Sequence, residues 1–77
     1  MNPEIIKLTK NLTDVIDFSI DNLDEKALTE IRDRMTNLIE QEVFWVKEGN
    51  EERYCYELKK FLTWLCDYAL MKNDESI

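Results

Sequence analysis

A single glycine, Gly49, and a single proline, Pro3, leave this 77-residue chain almost without the punctuation that strands, hairpins and long loops need. Beside them, apolar side chains recur at spacings of three and four, the period of an amphipathic helix, and no strand-like alternation competes. The pattern predicts an all-α chain. Asn2 can cap a first helix that opens on Pro3, where a missing N–H is no loss, and Glu4 complements the positive helix end. This helix, expected over residues 3–20, has as its inward stripe Ile5, Leu8, Leu12, Val15, Ile16, Ser19 and Ile20, extended by Leu23. Asp21, Asn22 and Asp24 interrupt the stripe, and either Asn22, with Glu25 three residues on, or Asp24 can cap the next helix.

The second helix, over 24–48, presents Ala27, Leu28, Ile31, Met35, Leu38, Ile39, Trp45 and Val46, with Glu30 and Arg34 spaced for a surface pair. Gly49 falls where a left-handed cap is needed, and Asn50 can cap a third helix over 51–72. That helix presents Tyr54, Leu58, Phe61, Leu62, Leu65, Tyr68 and Ala69 before a polar tail, 73–77, expected to fray. Tight turns between the helices predict a single domain, a three-helix up-down-up antiparallel bundle.

At about 100° per residue, the third helix is apolar over more than half its circumference. Cys55, Leu62 and Cys66 flank its central sector on one side, and Phe61, Trp64, Tyr68 and Met71 on the other. Two neighbours in a small monomer seldom bury so wide an arc, so self-association through this helix is the expectation.

Several classes of chemistry lack their residues. Without histidine there is no histidine-activated nucleophile and no histidine metal site, and two cysteines alone cannot make a four-ligand zinc site. Phosphate-binding loops need glycines the chain lacks, and its acidic clusters lack calcium-loop spacing. No catalytic group, cofactor or metal is therefore expected. Cys55 and Cys66 lie about 16 Å apart along one helix, too far for a disulfide, and read as reduced thiols. With no basic-then-apolar leader and no membrane-length apolar run, the expected location is cytoplasmic.

The net charge of −7 is spread as −2, −3 and −2 over residues 1–22, 23–49 and 50–77. Such a surface repels phosphate backbones and anionic membranes, so neither direct nucleic-acid binding nor membrane binding is expected. A basic protein surface remains open as a partner.

Seven of the eight aromatic residues fall between positions 44 and 68, and the second turn should gather several at one end. Phe44, Tyr56, Trp64 and Met71 leave the main stripes, while Glu42 sits inside one, either reaching solvent or setting the register of an interface. Together with Phe61 and Tyr68, these form the candidate protein interface. The expected function is a small acidic, non-enzymatic protein-binding module of the regulator or inhibitor type, working as a homo-oligomer, a homodimer by its apolar arc, and on a second protein. The alternative is a nucleic-acid mimic that blocks a basic DNA- or RNA-binding protein.

Overall fold

The computed structural model describes residues 2–75, with the side chains of 42–46 outside the described set. Three helices follow one another: α1 (Pro3–Asn22), α2 (Glu25–Lys47) and α3 (Glu51–Glu75). Among the described residues there is no strand. Each start is held by a side-chain oxygen that accepts from the first turn. Asn2 Oδ1 accepts from the Glu4 N–H at 2.8 Å, Asp24 Oδ1 from the Ala27 N–H at 2.8 Å, and Asn50 Oδ1 from the Arg53 N–H at 3.1 Å.

Of the two candidates for the second cap, Asp24 takes the role. Asn22 turns the other way and donates through Nδ2 to the Phe18 carbonyl at 2.8 Å. Gly49 adopts φ +73°, the left-handed conformation that closes α2 without a Cβ penalty. α1 and α3 run on to Asn22 and Glu75, past the expected ends at 20 and 72, so Asn73–Glu75 are helical rather than a frayed tail. A Lys72–Glu75 ion pair at 3.3 Å spans that last turn. Residues 76–77 lie outside the described set.

Cross-helix contacts fix the topology. Glu4 pairs with Lys59, and Val15 and Phe18 lie level with Cys66 and Ala69, so α1 and α3 are parallel. Tyr68 meets Glu30 and Trp64 meets Arg34, so α2 runs antiparallel to α3. The result is an up-down-up three-helix bundle with α3 packed along both partners, while α1 and α2 meet only slightly.

The wide apolar arc of α3 is explained by this central position. Leu58, Leu65 and Ala69 are sealed between the neighbours, Cys66 turns to α1, and Phe61, Trp64 and Tyr68 turn to α2. Each neighbour takes a different flank and covers much of the arc, while Met71 stays 49% exposed.

Exposed apolar residues stand on all three helices. Ile20 and Ile39, read from the sequence as inward, are 59% and 50% exposed. Each lies at the edge of its stripe nearest the gap between α1 and α2.

Ser19, Ala27 and Ala69 are buried near the first turn, where small residues let the three helices close together. Ser19 has no exposed surface, and its hydroxyl is satisfied by donating to the Val15 carbonyl at 2.8 Å. Toward the other end, Ile5, Leu38, Tyr54 and Leu58 fill the interior, and the gap between α1 and α2 runs along both ends.

Enlarging Ala69 to Leu should therefore overpack the narrow end and cost about 1–3 kcal/mol, measured as a lower urea midpoint. Removing the α2 cap with Asp24→Ala should cost about 1 kcal/mol in the same assay, while Asn22→Ala, outside the capping role, should cost less.

Candidate functional site

Three of the expected interface residues, Phe61, Trp64 and Tyr68, lie along the α2–α3 seam. Phe61, Trp64 and Tyr68 follow one another at helical spacing and stack as a ladder. Ring centroids are 5.8 Å apart for Phe61 and Trp64 and 4.8 Å for Trp64 and Tyr68, with interplanar angles of 28° and 18°. α2 closes over the ladder with polar groups. The Arg34 guanidinium lies 4.3 Å from the Trp64 ring centroid, within cation–π range. Glu30 accepts a hydrogen bond from the Tyr68 hydroxyl at 2.8 Å and faces Arg34 at 3.9 Å, the pair expected from their spacing.

Burial, then this hydrogen bond and the charge of Glu30, push the Tyr68 phenol up to about 12. All three members of the ladder are half-buried by packing within the chain, so its aromatic area is mostly committed to joining α2 to α3.

The remaining expected interface residues fall into different places. Tyr56 is 57% exposed on α3, with the Arg53 guanidinium 5.7 Å from its ring centroid. An open groove beside it is walled by Lys59, Lys60, Thr63 and Trp64, so Tyr56 and Trp64 share one surface. Met71 is 49% exposed near the far end of α3. Glu42 and Phe44, like Trp45, have side chains outside the described set.

A second surface, which the sequence reading did not assemble, is the groove between α1 and α2. One half encloses about 420 Å³ and is lined by Ile5, Ile6, Leu12, Met35, Ile39 and Tyr54 among others. The other half, of about 310 Å³, is bordered by Ile16, Ile20, Leu28 and Arg32, and Met35 belongs to both. Ile6 lies off the inward stripe of α1 and is 55% exposed. Ile20 and Ile39 had been absorbed into the core because a helical period alone does not say which side of a stripe receives a neighbour. On the opposite side of α1, Phe18 and Leu70 border a smaller cleft with Cys66.

Reactive groups are few. Burial pushes the Cys55 thiol up, with the Glu4 carboxylate adding to the effect, which disfavours the nucleophilic thiolate. Its neighbour Lys59 is also raised, by its hydrogen bond to Glu4 and then by the charge of that carboxylate. Both cysteines are free thiols. Among the described residues, no cluster of three or more cysteine, aspartate or glutamate side chains is arranged to hold a metal ion, and no helix is long and apolar enough to cross a membrane.

The raised Tyr68 value makes a signed prediction. An unfolded chain releases this proton near pH 10, whereas the folded protein holds it to about 12. Stability from the neutral, hydrogen-bonded phenol is therefore complete below pH 10 and is lost as pH rises through about 12. Tyr68→Phe should remove the last component of the tyrosinate absorbance titration and make stability less steep with pH in that window. Identical titrations for the two proteins would refute the assignment. No family model, no curated protein and no solved structure matches this chain.

Proposed function

We propose that this chain is a non-enzymatic protein-binding module that associates through exposed apolar helix faces, with a second copy of itself among its partners. The observation that carries this reading is the number of large apolar side chains left open on so small a fold. Ile6, Ile20, Ile39, Tyr56 and Met71 are each about half exposed or more, and Leu70 reaches 60%. Several of them gather in grooves rather than standing singly, the arrangement that marks interaction sites on soluble proteins.

The reading also fits the scarcity of reactive groups and the absence of an enclosed cleft among the described residues. The net charge of −7, carried by the surface outside the apolar faces, would favour a basic partner and discourage nonspecific clustering. A regulator or inhibitor working by occupying a partner's surface needs no more chemistry than this.

Nucleic-acid mimicry is less well supported. Glu4, Glu30, Asp33, Glu57 and Glu75 each have a lysine or arginine within ion-pair distance, which interrupts any track of carboxylates that would stand in for phosphates.

Light scattering behind size exclusion, over a wide concentration range and at low and high salt, tests the association reading. The expected result is a mass of two or more chains that changes little with salt, because apolar burial and not exposed charge holds the assembly. A mass that stays at a single 9.3 kDa chain under every condition overturns it.

A further inference from the structure

We propose that the α1–α2 groove is the self-association surface, closed by the same groove of a second copy across a two-fold axis that crosses α1 near Thr13. This rests on the association reading above and names its surface and its register.

The groove is built for desolvation. Its two halves join at Met35 and run from Ile6 to Ile20, about 21 Å of α1 at the helical rise. Three threonines on these helices turn their hydroxyls back onto their own backbones. Thr13 donates to the Thr9 carbonyl at 3.0 Å, Thr29 to Glu25 at 2.9 Å and Thr36 to Arg32 at 2.9 Å. Those polar groups are satisfied before any partner arrives.

Charge selects the occupant. The chain carries −7, so two copies repel one another over much of their surface. In the groove the balance differs: among the described residues its only charged lining residues are Glu25 and Arg32, one of each sign, and on α1 Lys10 and Asp17 stand one turn from Ile6 and Ile20. A strongly basic partner would find no net attraction there, whereas a second acidic copy meets no net repulsion.

The α1 stripe is also nearly symmetric about its middle. Ile6, Thr9, Thr13, Ile16 and Ile20 read with similar spacing in both directions from Thr13. When two such helices cross antiparallel there, Ile6 of one copy lies against Ile20 of the other. Lys10 of one copy then falls within about one helical rise of Asp17 of the other, twice over by symmetry. Lys10 and Asp17 are exposed and, among the described residues, make no ion pair within the chain, so both are open to an intermolecular one. Met35 lies near the same level on α2 and would meet its counterpart close to the axis.

Charge reversal tests the register. Lys10→Asp and Asp17→Lys should each raise the dimer dissociation constant roughly tenfold, and the double variant should return it to within about threefold of the wild type. Ile20→Glu, at a position mostly in solvent within the monomer, should raise it by about a hundredfold or more while far-ultraviolet circular dichroism stays unchanged. Dilution followed by light scattering reads all four variants against the wild type.

A wild-type dimer unaffected by Ile20→Glu, or a double charge variant no better than the singles, overturns the groove and its register while leaving self-association standing. A wild-type chain that is monomeric throughout overturns both.

Discussion

The packing of α3 between its two neighbours is the constraint on which the rest of the structure depends. Leu58, Leu65 and Ala69 lose nearly all their exposure there, which removes the apolar area of one helix from water against two partners at once. Because α3 supplies both seams, α1 and α2 need little contact with each other. The fold is correspondingly flattened, with principal extents of 44 × 21 × 15 Å. A chain of this length has little core to spare, and giving every long helix a share in the same central one uses that core efficiently.

The groove is a consequence of this arrangement. α1 and α2 each pack on α3 and meet one another only slightly, which leaves a gap between them at both ends of the bundle. What remains between them is apolar and open. The same central position gives the aromatic ladder a different role from that of a free anchor. Arg34 and Glu30 cover Trp64 and Tyr68 from α2, so the ladder secures a seam inside the chain and leaves Tyr56 as the more exposed aromatic surface. Buried or covered polar groups are matched: Ser19 with a backbone carbonyl, Tyr68 with a carboxylate.

Paired charge and exposed apolar surface occupy different parts of the molecule. Carboxylates paired locally with lysine or arginine lie on the outer faces, while the apolar openings carry charges of both signs at their edges. Net negative charge then limits nonspecific contact without closing the surfaces that are apolar.

The three helices, their caps and most of the buried stripe were legible in the sequence, because they follow from short-range rules. Asn2, Gly49 and Asn50 act where their backbone or side-chain chemistry requires, and Ile5, Leu8, Leu12, Ile31 and Leu58 are buried as their spacing demands. Two features were not legible. One was which flank of each helix would face a neighbour, since periodicity defines a stripe but not the lateral order of helices around it. The other was how far α1 and α2 would stand apart, since that depends on how each of them packs on α3. By itself the sequence determined an acidic, helical, capped chain with a shared core. Tertiary packing decided that α3 would be covered on both sides and that Ile6, Ile20 and Ile39 would be left facing water, because only the meeting of side chains distant in sequence sets the spacing between helices.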